Sequence, residues 1–441
     1  MRLFGTDGVR DVAHEGYMTP ENVFRLGRAY GRFLRQRGID LRVLVGRDTR
    51  ESGEEIEEAL VEGMVKEGVD VYLAGVLTTP AVSLLVRFKG IGGGVVISAS
   101  HNPFFYNGIK FFSLTGEKLS EGEEEAIEQI FFAEHGDELV ERGVVRRIDG
   151  VAEYLDAIRK EVPLSLPERC RVIVDCANGA TFEVAPALLK MYGVDVVAVS
   201  VEPDGRNIND GCGSTVPEFI LQKVKEYGVD LGFAFDGDGD RIVIADSSGN
   251  ILDGDNIMLL LARYFNRRGE LRNRLVVGTV MSNMGFEDAL ERENIILERV
   301  KVGDKYVWAK MKEKGALIGG EQSGHIIING PVVTGDGVLT GLYFLIAMET
   351  MGLGAAYFDR YPQKLVNITV KDKGVIEREE FTGYILRLLD RISGRILIRP
   401  SGTEPVVRIM VEDRSEEVVD ETIREVIEKI KRLDSSVSLR S

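Results

Sequence analysis

One order of elements occurs three times along this chain, and it limits the fold more than any other feature. Arg42-Val43-Leu44-Val45-Gly46 is an apolar, β-branched run that ends in the polar exit Arg47-Asp48-Thr49-Arg50. Ser52 and Glu55 then have the spacing of a capping box. The helix they open carries Ile56, Ala59, Leu60, Gly63 and Met64 on one face, and Gly68 ends it before the strand Val69-Asp70-Val71-Tyr72-Leu73. Strand, helix and strand in that order predict a parallel βαβ unit. The order returns at Arg171-Val172-Ile173-Val174-Asp175, with a turn at Cys176-Ala177-Asn178-Gly179-Ala180 and a second strand from Val194. It returns again at Leu275-Val276-Val277-Gly278-Thr279-Val280, followed by the turn Met281-Ser282-Asn283-Met284-Gly285, a helix towards Glu293 and a strand from about Ile295 to Val300. The repeat is one of pattern and not of identity, and it predicts three α/β domains of similar topology.

The last block differs in kind. Strands at Lys364 to Val370, Ile396 to Ile398 and Val406 to Val411 alternate with helices. Ser415 is placed as the N-cap of a final helix with Val419, Ile423, Val426, Ile427 and Ile430 on one face. This predicts a two-layer α+β domain after three mixed α/β three-layer domains, with divisions at 1–152, 153–250, 251–365 and 366–441.

Composition narrows the partners. A net charge of −16 opposes binding to nucleic acid or to an anionic membrane. The N-terminal MRLFGTDGVR has no apolar leader, and no run of about 18 apolar residues occurs, so the expectation is a cytoplasmic protein without membrane contact. Cys170, Cys176 and Cys212 have no metal-ligand spacing and form no even disulfide set.

Four loops carry chemistry. Val96-Ile97-Ser98-Ala99-Ser100-His101-Asn102-Pro103 reads as a buried strand that delivers Ser100, a candidate nucleophile, to a sheet rim. The other reading is a plain strand-end turn. Asp236-Gly237-Asp238-Gly239-Asp240-Arg241 puts three carboxylates at alternate positions between glycines, a donor set that suits Mg²⁺ or Ca²⁺. An EF-hand loop starting at Asp236 would need glycine at its sixth place and glutamate at its twelfth, where Arg241 and Ser247 stand. An aspartyl-nucleophile phosphatase would want threonine or valine where Asp240 stands. In Gly319-Gly320-Glu321-Gln322-Ser323-Gly324-His325, the carboxylate, hydroxyl and imidazole of Glu321, Ser323 and His325 suit vicinal sugar hydroxyls. Arg399-Pro400-Ser401-Gly402-Thr403-Glu404-Pro405, with Arg408 beyond it, has the composition of an anion nest. Lys110, ten residues after Ser100, could return to the same cleft as a general acid or base or as a phosphate clamp. A turn in Phe4-Gly5-Thr6-Asp7-Gly8-Val9-Arg10 offers Arg10.

Taken in order, SASHNP, DGDGDR, GGEQSGH and RPSGTEPVVR resemble the loops of the α-D-phosphohexomutase family over essentially the whole chain. The wording GEQSGH, GTVMSN, KVGDKYV and FGTDGVR resembles most the branch acting on glucosamine phosphates. The resemblance implies a heart-shaped, four-domain enzyme with one central cleft, interconverting hexosamine 6- and 1-phosphates. Ser100 would be carried as phosphoserine. It would share one Mg²⁺ per active site with Asp236, Asp238 and Asp240. Arg10, His101, Lys110 and Arg241 would surround the transferring phosphoryl group, with Lys110 as the acid/base participant. Glu321, Ser323 and His325 would serve the sugar. Arg399, Ser401, Gly402, Thr403 and Arg408 would hold the phosphate that is not reacting. A hexosamine 1,6-bisphosphate would be intermediate and activator.

The chain departs from the family pattern at Tyr106, where aspartate is usual, and at Val216, where histidine is common. Two alternatives stay open: the same chemistry on mannose or glucose phosphates, and a non-catalytic Mg²⁺-dependent sugar-phosphate binder. A homodimer stays open as the assembly.

Overall fold

The computed structural model describes residues 3–5, 7–133, 140–162, 166, 171–330, 332–401, 405–434 and 438–439. Packing divides the chain into two units, Met1–Met281 with Ile295–Tyr357, and Ser282–Asn294 with Phe358–Ser441.

The first unit holds three sheets. The strands of the six-stranded sheet lie in the order Val9–Val12, Tyr106–Ser113, Gly93–Ile97, Arg42–Arg47, Asp70–Val76 and Val145–Arg147. Arg42–Arg47 pairs in parallel with Asp70–Val76, as expected of a βαβ unit. The other two expected units also close in parallel, Arg171–Asp175 with Asp195–Val199 and Leu275–Thr279 with Ile296–Val300. The middle strand Gly93–Ile97 is buried along its whole length. That explains its unbroken apolar composition, since a strand covered on both faces has no solvent side to alternate with. Helices Pro20–Gln36 and Gly53–Lys66 pack their apolar faces on this sheet with Leu26, Tyr30, Ile56, Leu60 and Met64 in its core.

The capping box expected from Ser52 and Glu55 does not form. Ser52 precedes helix Gly53–Lys66 but makes no side-chain cap bond. Its hydroxyl accepts instead from the Asn107 side chain at 2.9 Å. A tertiary partner has displaced the local one.

The second unit is built on a four-stranded antiparallel sheet in the order Arg395–Pro400, Val406–Glu412, Gln363–Thr369 and Ser438–Leu439. Helix Glu416–Leu433 starts as read, with Ser415 accepting from the Val418 amide, and buries Val419, Ile423, Val426, Ile427 and Ile430. Helix Met284–Glu291 packs with this unit although it follows the strand Leu275–Thr279. Two contacts explain why. The Met284 amide donates to Glu412 at 2.8 Å, and the Asn283 carboxamide bonds the backbone of Tyr361 in both directions at 3.0 Å. Among the described residues, no helix is long and apolar enough to cross a membrane.

Candidate active site

Ser100 follows the buried strand Gly93–Ile97 and is itself 1% exposed, with a left-handed backbone at φ 54°. For a residue with a Cβ that conformation costs about 1–2 kcal/mol and persists only where neighbours over-determine it. Here they do. The Ser100 amide donates to the Ser98 hydroxyl at 2.9 Å, and its carbonyl accepts from Arg50 at 2.9 Å and Asn209 at 3.0 Å. The side chain is then aimed outward from the strand end. Ser100 Oγ donates to Asp236 Oδ2 at 2.6 Å and lies 3.3 Å from His101 Nδ1.

The acidic loop sits against Ser100 because of glycine. A Cβ on Gly237 would lie 2.6 Å from the Ser100 carbonyl oxygen. Asp236, Asp238 and Asp240 are all buried, and each offers one oxygen within 4.8 Å of the others. Asp238 Oδ1 and Asp240 Oδ1 are buried with no hydrogen-bond partner. Orphaned anionic oxygens of this kind are costly unless a cation takes them. Burial, with the charges of Asp240 and Asp238, pushes the Asp236 carboxyl well above the usual range. Burial also opposes ionisation of Asp240, but Lys110, His325 and Arg241 outweigh it and hold that carboxyl well below the usual range. Three hard oxygens with open valences fit a divalent cation such as Mg²⁺.

The other expected residues converge on this centre in the first unit. Lys110 is 1% exposed and places Nζ 2.7 Å from Asp238, 3.1 Å from Asp7 and 3.6 Å from Asp240. Burial disfavours its charge, but these three carboxylates outweigh burial and raise its pKa, so it is held as ammonium. His101 goes the other way: burial, with Arg241 and Arg10, lowers it to about 4, which leaves a neutral imidazole at neutral pH. Arg10 pairs with Asp7 and reaches the Ala99 carbonyl at 3.4 Å. Arg241 Nε lies 3.8 Å from Asp240 Oδ1 and is buried with no hydrogen-bond partner.

The loop 319–325 is joined to the acidic loop by an antiparallel bridge between Arg241 and His325. The Ile242 amide donates to the Gly324 carbonyl at 3.1 Å, and Gly324 adopts φ +90°, where a Cβ would meet the Ile242 oxygen at 2.1 Å. Ser323 is exposed, and Glu321 is half-buried with one oxygen accepting from the Gly303 amide at 2.9 Å. His325 corrects the sequence reading. It is 3% exposed and turned inward, with Nδ1 3.6 Å from Asp240 and Nε2 accepting from the Gly335 amide at 3.0 Å. An imidazole with both nitrogens engaged inside the protein positions Asp240 and has none left for a sugar hydroxyl.

Three residues of the site escaped the sequence reading. Asp7, Lys118 and Asp304 complete a closed circuit of polar contacts. Lys118 bonds both Asp7 and Asp304, Asp304 lies 3.6 Å from His325, and the circuit returns through Asp240, Lys110 and Asp7. No motif spacing links positions 7, 118 and 304. Only the excess of buried carboxylates, which calls for more cations than Lys110 and Arg10, could have signalled them.

In the second unit, Arg399 stands directly across the strand pair from Arg408. Burial and the Arg408 charge lower the Arg399 pKa. Neither guanidinium pairs with a carboxylate among the described residues, and Arg408 Nε is buried without a partner. Lys373, not foreseen, donates to the Ser401 carbonyl at 2.8 Å. Like charges facing each other across strands are unfavourable without an anion, so this cluster has the character of an anion site. Gly402 and Thr403 lie outside the described residues.

Residues 1–137, 152–249 and 253–363 match the α/β/α domains I, II and III of the phosphoglucomutase/phosphomannomutase family, and 365–429 match its C-terminal domain. The chain belongs to that family and is a phosphohexomutase, an enzyme of the isomerase class. It is 46% identical to a phosphoglucosamine mutase of Desulforamulus reducens, covering 94% of this chain and 95% of that protein. A phosphoglucosamine mutase of Macrococcus caseolyticus is 43% identical, with 98% of each chain covered. The fold is shared with a phosphoglucomutase/phosphomannomutase family protein of Burkholderia thailandensis, at a TM-score of 0.81 and 24% identity over 99% of this chain and 98% of the other.

Proposed function

We propose that the chain interconverts glucosamine 6-phosphate and glucosamine 1-phosphate, with Ser100 as the phosphoryl carrier. The observation that carries this reading is the Ser100 hydroxyl held 2.6 Å from Asp236 inside a buried three-aspartate loop. The sugar is assigned from the phosphoglucosamine mutases at 46% and 43% identity. Ser100, Asp236, Asp238 and Asp240 are the residues to hold one Mg²⁺, which when bound neutralises charge on the phosphoryl oxygens.

Phosphoserine 100 transfers its phosphoryl group to one sugar oxygen. The bond from phosphorus to Ser100 Oγ breaks as the bond to the sugar oxygen forms, and the sugar hydroxyl loses its proton. That proton passes in net terms to the departing Ser100 Oγ, beside which His101 Nδ1 lies at 3.3 Å. Lys110, held as ammonium by three carboxylates, is suited to balance charge on the moving group or to protonate a leaving oxygen. Arg10 and Arg241 add positive charge at the same place. The hexosamine 1,6-bisphosphate then turns, and its other phosphate returns to Ser100. Glu321 and Ser323 take sugar hydroxyls, and Arg399, Ser401, Gly402, Thr403 and Arg408 take the phosphate at rest. The four-part division at 152, 250 and 365, a cytoplasmic location and a homodimer belong to the same reading, and light scattering tests the last.

Turnover measured on glucosamine, mannose and glucose phosphates with Mg²⁺ tests the substrate. Glucosamine 6-phosphate is expected to have the highest kcat/KM. A higher value for mannose or glucose phosphate would overturn the assignment.

A further inference from the structure

We propose that Arg50 is a positioning residue for phosphoryl transfer, acting on Ser100 through the backbone of its loop. In the sequence Arg50 is one of two basic groups at a strand exit. The structure turns it inward instead. Arg50 is 1% exposed and touches no reacting atom.

Its donors are spent on one loop. One terminal nitrogen donates to the carbonyls of Ser100 at 2.9 Å and Asn102 at 2.8 Å. The other donates to the carbonyls of Pro103 and of Tyr106, the latter at 3.0 Å. Nε donates to Asp48 at 2.8 Å. Asp48 in turn accepts from the Ser98 hydroxyl at 2.6 Å, and that hydroxyl accepts the Ser100 amide at 2.9 Å. Both the amide and the carbonyl of Ser100 are therefore tied into one circuit through Arg50, Asp48 and Ser98. This circuit holds the left-handed backbone at φ 54° that aims Oγ at Asp236.

The chemistry requires a guanidinium. A planar fork with five fixed donors can hold four carbonyls and a carboxylate at once, whereas an ammonium has three donors on a point charge. In-line transfer is sensitive to placement: a displacement of about 1 Å costs about 100-fold in rate. The inference rests on Ser100 being the phosphoryl carrier.

The test uses the full chain, with folding checked by circular dichroism at the assay temperature. Arg50→Lys and Asp48→Asn are each expected to lower kcat by about 100-fold while KM for the sugar phosphate stays within about threefold. Arg50→Ala is expected to regain about tenfold in kcat with millimolar guanidinium ion and not with methylammonium, a selectivity that a merely structural role does not produce. If Arg50→Ala does not fold, the two conservative variants decide. A folded Arg50→Lys with kcat within twofold of the unsubstituted chain would overturn the proposal, as would equal recovery with both cations. Ser100→Ala in the same assay separates the two readings. If it turns over normally, the carrier assignment has failed; if it is inactive while Arg50→Lys is not, only the role of Arg50 has.

Discussion

The hydroxyl of Ser100 donates to a carboxylate 136 residues further along the chain, Asp236, at 2.6 Å, and both groups are buried. The bond joins the nucleophile loop of one sheet to the acidic loop of another. Asp236 sits beside two more buried carboxylates, two of whose oxygens have no partner. A divalent cation bound there stabilises the native state by mass action, about 2.7 kcal/mol at a concentration 100 times its Kd. Thermal melts should therefore shift upward with Mg²⁺ and back with chelator, and Asp238→Asn should abolish most of the shift.

Lys118 bridges Asp7 and Asp304. Lys118→Met leaves two largely buried carboxylates short of a cation, and denaturant unfolding should show a loss of about 3 kcal/mol. Adding Asp304→Leu removes one of those orphans. The double variant should then lose less than the sum of the two single losses, which a double-mutant cycle measures.

Much of this arrangement was legible beforehand. The parallel pairs came from apolar runs of strand length separated by helical periodicity, and the site loops from residue types that chemistry demands in small spaces. What could not be read depends on the direction a side chain takes after folding. His325 stands in a polar loop that suggests substrate contact, and Arg50 in a polar strand exit, yet both point inward because the loops around them need donors and acceptors. Ser52 has the spacing of a cap but is drawn to Asn107. Helix Met284–Glu291 follows a strand of the first unit but packs with the second, and no local pattern encodes that exchange.

Asp336 provides a pH signature. It caps helix Gly337–Met351 by accepting from the Leu339 amide at 2.9 Å, and it accepts the Tyr154 hydroxyl at 2.7 Å. Burial pushes its pKa up to about 6 from 3.8. A carboxyl raised on folding contributes stability below its unfolded pKa and loses it as pH rises through the folded value. The contribution of Asp336 is thus present near pH 4 and gone above about pH 6, a difference of about 3 kcal/mol. Asp336→Asn cannot ionise. Its stability relative to the unsubstituted chain should improve by up to that amount between pH 4 and pH 7 in urea unfolding.

Arg408 faces Arg399 across two strands, and that like-charge contact is unfavourable in the absence of an anion. Arg408→Met should leave the fold equally or more stable, by up to about 1 kcal/mol. It should also raise KM for the sugar phosphate by about 100-fold, the cost of one charge-assisted phosphate contact. Melting temperature and steady-state kinetics on the same preparation check both effects.

The phosphate on Ser100 itself tests the carrier role most directly. Intact mass spectrometry of the chain incubated with hexosamine 1,6-bisphosphate and Mg²⁺ should show one added phosphoryl group, which glucosamine 6-phosphate then removes with formation of bisphosphate. Ser100→Ala should show neither phosphoform nor turnover while unfolding like the unsubstituted chain, since a single loop hydroxyl contributes little to stability. Turnover at a normal rate by Ser100→Ala, or turnover by the unsubstituted chain with no phosphoform at any time, would contradict the account.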